Sequence, residues 1–291
     1  MSGKLFDKTG PIRAFLAPSV QNNIIQEIHD IYPDLVCIPI GSVGKRNDNE
    51  YNGDIDVAIK CKDVETLRSI IETVFDYIED TIVTESLYIV SIKYPYKLGE
   101  EPIQFVQVDF MNIWDEDYTR FRYYCPDYRK NESRYKVGQK IMFATMLLNH
   151  TKDKYDELED GCLSKFDFRP TALFRYWTNP KDDLVHEQYI TTDVDKIVNM
   201  CFNDGNRNHF NSIETLWEAI HTDNFKYPDE VKSIEHNFFV NCWRKGWENI
   251  VPEDFNIQYW SNEEIWESIN KQAKINKINN IFCKLADMEN K

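Results

Sequence analysis

The sequence lacks the cysteine and histidine patterns that mark zinc sites and disulfide-linked domains. Its seven cysteines are scattered without a C-x-x-C pair, and its six histidines show no H-E-x-x-H spacing. A zinc site is therefore not expected. An odd, dispersed set of thiols is typical of reduced cysteines, so we expect a cytoplasmic, intracellular protein with no disulfide-linked partner.

Long apolar runs are also absent. No run approaches the roughly 20 apolar residues that a membrane-spanning helix needs, and no signal-peptide core stands at the N-terminus. We therefore expect a soluble protein with no membrane partner.

An excess of positive charge is missing as well. The 34 lysines and arginines are outnumbered by 49 acidic residues, which gives a formal net charge of −15. A general nucleic-acid coat is excluded, because such proteins bind by neutralising phosphates, but a local basic groove is not. The hydrophobic share of 42% in 291 residues is enough for a substantial core, in one large domain or two medium ones.

Hydrophobic periodicity predicts an α+β fold that begins with a mixed-sheet domain. Residues 20–33 and 64–78 have apolar residues at helical spacing. The segments "LVCIPI", "DIDVAIK", "TIVTESLYIVSIKYPY" and "PIQFVQVDFMNI" have the length or the alternation of strands, and "KLGEEP" supplies a hairpin turn.

From about residue 137 onward, the patterns favour helix throughout. The helical segments include "VGQKIMFATMLLNHTK", "VDKIVNMCFN", "IETLWEAIH" and "NEEIWESINKQAKINKINNIFCKLADM". The predicted organisation is a catalytic mixed-sheet domain at residues 1–115, a basic aromatic linker at 116–136 and an all-helical domain at 137–291, which would bind the nucleotide or acceptor.

The stretch "GSVGKRNDNEYNGDIDVAI", residues 41–59, combines glycines, cations and acids. One interpretation is a calcium loop that begins at Asp48, but Ile59 stands where the bidentate glutamate is needed and the flanking segments are strands. Another is a polar hairpin that turns at Asn52-Gly53, with its acids merely solvated.

A third interpretation is a metal site. The period of two places Asp54 and Asp56 on one face of a strand, where two carboxylates repel each other unless a cation neutralises them. Asp109 stands alone in another apolar strand, where an unpaired carboxylate is costly. Three convergent carboxylates would suit a hard divalent ion such as Mg²⁺.

The combined pattern resembles the DNA polymerase β-like nucleotidyltransferase superfamily. The pattern consists of Gly41-Ser42 after a strand, Asp54-Ile55-Asp56 on the next strand and Asp109 after a hairpin, within about the first 115 residues. The segment "ESRYKVGQKIMFATMLLN" is also similar to the helix after the catalytic strands in phage and viral members of the superfamily.

The resemblance implies Mg²⁺-dependent transfer of a nucleoside monophosphate from an NTP such as ATP to an acceptor hydroxyl, with release of pyrophosphate. Asp54 and Asp56 would hold two Mg²⁺ ions, with Mn²⁺ as the alternative. Asp109 would complete the second metal site and help to deprotonate the acceptor. Gly41 and Ser42 would contact the triphosphate, and one of Lys45 and Arg46 would neutralise its β- and γ-phosphates.

Residues 120–140, the basic segment, have seven lysines and arginines against two acids, with five aromatic residues between them. Such a mixture suits a nucleotide or a single-stranded acceptor, and Lys136 and Lys140 are four apart, so both could face phosphates. The alternative is a linker whose aromatic residues anchor in the core.

The acceptor is left open by the sequence. An RNA 3′ end is the leading choice because of the basic segment, while a small molecule or a protein is equally compatible with the small size and the acidity. A non-catalytic nucleotide-binding or interaction protein is the alternative class, but the presence of all three acids gives it no support.

Overall fold

The computed structural model describes residues 5–133, 135–151, 158, 163–178 and 184–244. The chain forms two compact units, residues 1–226 and residues 227–291. Within the described residues, no helix is both long and apolar enough to cross a membrane.

A five-stranded mixed sheet is the centre of the first unit, and it confirms the predicted mixed-sheet character of the N-terminal region. Its strand order is β2-β4-β7-β6-β5. The strands are β2 (Cys37–Ile40), β4 (Ile55–Lys60), β5 (Thr81–Thr84), β6 (Ile89–Tyr96) and β7 (Gln104–Ile113). β4 and β7 run parallel and the other neighbouring pairs are antiparallel.

Two helices pack on one face of this sheet, as their apolar periodicity predicts. They are α1 (Ala17–Ile31) and α2 (Val64–Val74). Asp63 begins α2 as its N-cap, because its side chain accepts a hydrogen bond from the backbone N–H of Thr66 at 2.8 Å. The apolar stripes of both helices meet Ile55, Val57 and Ile59 of β4 in one buried cluster. The alternate residues of β4, including Asp56, therefore lie on the opposite face of the sheet.

A short antiparallel ribbon lies beside the sheet. It consists of β1 (Ile12–Arg13) and β3 (Tyr51–Asn52), with Ile12 opposite Asn52. The backbone N–H of Ala14 donates to the carbonyl of Glu50 at 2.9 Å and extends the pairing. The ribbon fixes the far end of the loop that follows β2.

The all-helical prediction for residues 137–291 is wrong, because this region contains an antiparallel three-stranded sheet. Its strands are β8 (Leu163–Phe168), β9 (Leu173–Thr178) and β10 (Val185–Thr191). In β8 the aromatic side chains of Phe166 and Phe168 are buried between polar neighbours, which is the alternation of a strand. Long-range packing of these aromatic residues stabilises the sheet, and single-segment helical patterns do not report it.

The described residues that follow the first sheet also form helices, which confirm several of the predicted helical segments. They are α3 (Glu116–Arg122), α4 (Val137–Leu148), α5 (Val194–Cys201) and α6 (Ile213–Ile220) in the first unit and α7 (Val231–Arg244) in the second. The helix predicted near the C-terminus, within residues 262–288, lies outside the described residues.

The predicted linker is part of the folded unit. It contains α3, whose Tyr118 is fully buried and donates a hydrogen bond to the carbonyl of Arg169 at 2.8 Å. The compact units divide after residue 226, whereas the sequence placed boundaries at residues 115 and 136. The binding role assigned to residues 137–291 stays a prediction.

Candidate active site

Asp56 and Asp109 lie side by side on β4 and β7, two inner strands of the central sheet. They are direct partners in the parallel register of β4 and β7, so their side chains lie on the same face. Asp54 directly precedes β4 and is close enough to raise the pKa of Asp56. The structure therefore brings the three predicted acids together where the start of β4 lies beside the middle of β7.

The electrostatics of this carboxylate pair are unfavourable in the metal-free chain. Burial raises the pKa of Asp56 well above its ordinary value, and the charges of Asp54 and Asp109 raise it further. Burial also raises the pKa of Asp109, although hydrogen bonds from two neighbours oppose this shift. No described lysine or arginine forms an ion pair with Asp56 or Asp109. A bound cation would relieve this repulsion.

Two hydrogen-bond donors orient the Asp109 carboxylate. The Ser91 hydroxyl donates to Asp109 Oδ1 at 2.6 Å, and Gln107 Nε2 donates to Oδ1 and Oδ2 at 2.9 and 3.0 Å. Ser91 is the partner of Asp109 in the β6–β7 hairpin. The period of two in β7 places Gln107 on the face of Asp109. Ser91 belongs to the other strand of the hairpin, and a count outward from the hairpin turn would have located it.

Gly41 directly follows β2 and lies against the Asp56 carboxylate. Its φ of +76° is in the left-handed region, and a Cβ atom there would lie 2.1 Å from Asp56 Oδ2. Glycine is therefore required both by the backbone conformation and by the close approach of the carboxylate. This contact follows from the register of β2 and β4, in which Ile40 is opposite Asp56.

Residues 41–45, the Gly41 turn, begin beside this carboxylate and include backbone N–H groups without a described acceptor. The N–H of Lys45 donates to the carbonyl of Ser42 at 3.1 Å, and Gly44 has a φ of +72°. No described residue accepts a hydrogen bond from the N–H groups of Ser42, Val43 or Gly44. Successive unpartnered N–H groups in such a turn form a concave site that attracts anions.

Lys45 and Arg46, the two predicted phosphate-binding cations, stand at the end of the Gly41 turn and lie near the basic segment. The Arg46 guanidinium lies over the Tyr128 ring, 5.1 Å from its centroid, and is 3.8 Å from the carboxylate of Glu50. Burial raises the pKa of Cys125, and the charge of the partly buried Lys45 opposes this shift. Lys45, the last residue of the Gly41 turn, and Arg46 therefore lie near residues 125–128.

Several cations of the basic segment have structural partners. Arg129 makes a bidentate pair with Asp127 at 2.9 and 2.7 Å, and the pKa of Asp127 falls to about 2. Arg122 is buried, donates to the carbonyl of Phe168 at 2.8 Å and stacks on the Tyr123 ring. Arg134 lies outside the described residues. The segment is therefore partly a folded anchor and only partly an open basic surface.

The spacing of Lys136 and Lys140 suggests that both face phosphates, but the two lysines lie in different environments. Lys136 is exposed at the N-terminus of α4, whereas Lys140 is 3% exposed. Lys140 Nζ donates to the carbonyls of Phe121 and Tyr124 at 3.3 and 3.1 Å. Burial lowers the pKa of Lys140 to about 7. The expectation that both lysines face phosphates is wrong for Lys140, because its ammonium joins α4 to the residues that end α3.

The acids of the site fit magnesium in donor chemistry. Carboxylate oxygens are the ligands that Mg²⁺ takes, usually one or two from the protein with water and substrate phosphates as the rest. Asp56 fits best, since it is partly buried, repelled by two acids and held beside the Gly41 turn. Within the described residues, no three acidic, histidine or cysteine side chains form a complete metal cluster. Phosphate and water oxygens would therefore have to complete the coordination of an ion held by Asp54, Asp56 and Asp109.

Gly41→Ala tests the contact between the turn and Asp56. The matched control is Gly44→Ala, which has a similar φ but nothing within 4 Å of its Cβ position. We expect Gly44→Ala to lower the free energy of unfolding by about 1–2 kcal/mol, the cost of left-handed backbone alone. Gly41→Ala should cost more because it also displaces the Asp56 carboxylate. Urea unfolding of both variants measures the difference, and equal losses would contradict the contact.

Lys140→Met tests the buried ammonium through the pH dependence of stability. The folded pKa of Lys140, about 7, lies below its ordinary value of 10.5, so unfolding takes up a proton between these pH values. The free energy of unfolding of the wild type should therefore rise relative to Lys140→Met as the pH increases from about 7 to about 10. Lys136→Met alters an exposed lysine one turn earlier and is the control. Identical pH profiles for the two variants would show that Lys140 is not buried as described.

Comparisons with known proteins find only a partial structural likeness. No family model and no curated protein sequence matches the chain. Two solved structures of Leishmania infantum polymerase beta, a ternary P/T complex and a ternary gap complex, match at 14% identity with TM-scores of 0.37 and 0.38. The matches cover 58% of this chain and 59% and 52% of those chains, so less than two thirds of their length is spanned. A likeness at this level carries no argument about activity.

Proposed function

We propose that this protein is a Mg²⁺-dependent nucleotidyltransferase of the polymerase β-like kind, which transfers a nucleoside monophosphate from an NTP to an acceptor hydroxyl. One observation carries the proposal: the anion-attracting Gly41 turn is in contact with Asp56, which is paired with Asp109. An anion bound by the turn would be repelled by the neighbouring carboxylates unless a divalent cation lay between them. A metal-bound triphosphate satisfies both sites at once.

The chain would hold the triphosphate from the side of the turn. The N–H groups of Ser42, Val43 and Gly44 point to no described acceptor and can donate to phosphate oxygens. Lys45 and Arg46 follow directly, and one of them would neutralise the β- and γ-phosphates. The Tyr128 ring restricts Arg46, so this cation is partly pre-organised for a charged ligand.

The reaction itself is an in-line displacement at the α-phosphorus. The acceptor oxygen forms a bond to that phosphorus, the bond from it to the bridging β-phosphate oxygen breaks, and pyrophosphate leaves. Mg²⁺ bound by Asp54, Asp56 and Asp109 would supply charge neutralisation on the phosphates and lower the pKa of the acceptor hydroxyl. Asp109 would receive or direct the hydroxyl proton, since Ser91 and Gln107 hold its carboxylate in one orientation. Positioning and electrostatics therefore account for most of the catalysis.

An RNA 3′ end is our leading acceptor. The basic segment keeps exposed cations at Arg120, Lys130 and Lys136, and the Tyr124 ring is 39% exposed. Cations beside an accessible aromatic ring suit a single strand, whose phosphates need neutralising and whose bases stack. A small-molecule or protein acceptor is the alternative.

The proposal predicts pyrophosphate release from an NTP that requires Mg²⁺ or Mn²⁺. The assay offers each of the four NTPs with RNA, DNA, protein fractions and small hydroxyl compounds. Asp54→Ala, Asp56→Ala and Asp109→Ala should each lower the rate by at least about 10²-fold, the scale lost with one electrostatic group of an active site. Glu72→Ala removes an exposed acid from α2 and should leave the rate unchanged.

The acceptor is identified in the same assay from α-labelled NTPs. Label on RNA alone supports our leading choice, and label on another acceptor replaces it. The reference is a variant with Asp54, Asp56 and Asp109 all replaced by alanine. If the wild type binds NTP but releases no more pyrophosphate than this variant with every acceptor and ion, the result contradicts catalysis and favours a non-catalytic nucleotide-binding protein.

A further inference from the structure

Asn52 is a buried polar residue that directly contacts the Gly41 turn. Its side chain is fully buried, and its Nδ2 donates a hydrogen bond to Ser42 Oγ at 2.9 Å. One interpretation of the sequence made Asn52-Gly53 the turn of a polar hairpin. The structure instead places it inside the site, ten residues along the chain from Ser42.

The ribbon of β1 and β3 fixes Asn52 in this position. Its partner in the ribbon is Ile12, which is fully buried. The preceding residue, Tyr51, is 51% exposed, so neighbouring side chains of β3 point to opposite sides. The amide of Asn52 is therefore directed inward by the strand itself and has little freedom to leave Ser42.

The hydrogen bond from Asn52 determines what the Ser42 hydroxyl can do. A serine hydroxyl has one proton to donate and two lone pairs that accept. Asn52 occupies a lone pair, and no described residue accepts the hydroxyl proton. That proton is therefore available to a ligand, and it lies on the same turn as the unpartnered N–H groups of residues 42–44.

We propose that Asn52 is a positioning residue for the substrate: it holds Ser42 so that the serine hydroxyl donates to a phosphate oxygen of the nucleotide. The inference rests on the proposed function. It gives the ribbon a specific role. Residues 12–13 of β1 hold β3 in place, and the Asn52 amide of β3 acts on the triphosphate through Ser42.

A second feature of Asn52 supports a functional reason for its burial. Its Oδ1 atom is buried without a hydrogen-bond partner among the described residues, which is unfavourable for folding. Asn112 on β7 has the same features: it is fully buried, its Nδ2 donates to the carbonyl of Cys61 at 2.8 Å, and its Oδ1 has no partner. Asn112 does not contact the Gly41 turn. It is therefore a matched control for the loss of a buried asparagine.

The test is a double-mutant cycle between residues 42 and 52. Wild type, Ser42→Ala, Asn52→Leu and the double variant are titrated with inorganic tripolyphosphate and Mg²⁺ in a calorimeter, and KM for NTP is measured in parallel. Each single variant should weaken tripolyphosphate binding and raise KM by about tenfold, the scale of one hydrogen bond to a charged group. The double variant should be no weaker than Ser42→Ala, because Asn52 acts only through Ser42.

The controls separate positioning from stability. Asn112→Leu should lower the unfolding midpoint as Asn52→Leu does, yet bind tripolyphosphate as the wild type does. If Asn52→Leu does not fold, Asn52→Ala removes the same donor without added bulk, and the same losses are expected.

Two outcomes overturn the inference in different ways. A wild type that neither binds tripolyphosphate nor releases pyrophosphate from an NTP overturns the proposed function as well. If the wild type does both, two results overturn only the role of Asn52. One is that Asn52→Leu binds tripolyphosphate normally, and the other is that Asn52→Leu weakens binding equally with and without Ser42→Ala.

Discussion

The contact between the Gly41 backbone and the Asp56 carboxylate is the constraint on which the site depends. The antiparallel register of β2 and β4 places Ile40 opposite Asp56. The next residue, Gly41, therefore lies close to the Asp56 carboxylate. Only a residue without a Cβ atom fits there, and the same glycine supplies the positive φ that starts the turn. Strand pairing, turn geometry and the position of the acid are thus determined together.

Unfavourable features concentrate around this contact. Among the described residues, those between 41 and 56 include a buried amide oxygen without a partner and a carboxylate whose charge is disfavoured by burial and by two other carboxylates. Such features persist where the surrounding structure over-determines them, and they cluster at functional sites. Here that structure is the opposite face of the sheet, where α1 and α2 bury the alternate residues of β4. The buried core therefore stabilises β4, and β4 holds Asp56 in its unfavourable environment.

Local patterns predicted the parts of the fold that local interactions determine. The two helices, the strand before Gly41 and the alternation that separates Asp56 from Val57 follow from periods of 3.6 and 2. Long-range contacts determine the rest. The register between Asp56 and Asp109, the Ser91 hydrogen bond and the burial of Lys140 depend on segments that meet only in the folded chain. The sheet of β8–β10 was missed because its buried aromatic residues gain their strand preference from packing. The burial of Asn52 was missed because Asn-Gly is also a common turn pair.

Thermal unfolding of wild type and Asp56→Asn, with EDTA and with Mg²⁺, tests the account most directly. Because the folded pKa of Asp56 is raised, its contribution to stability is lost as the pH rises through that value. In EDTA at neutral pH, the variant should therefore unfold at a higher temperature than the wild type, and the difference should close near about pH 4. Mg²⁺ should raise the midpoint of the wild type alone. A variant that is less stable in EDTA, or an equal Mg²⁺ shift in both proteins, would contradict a metal site at Asp56.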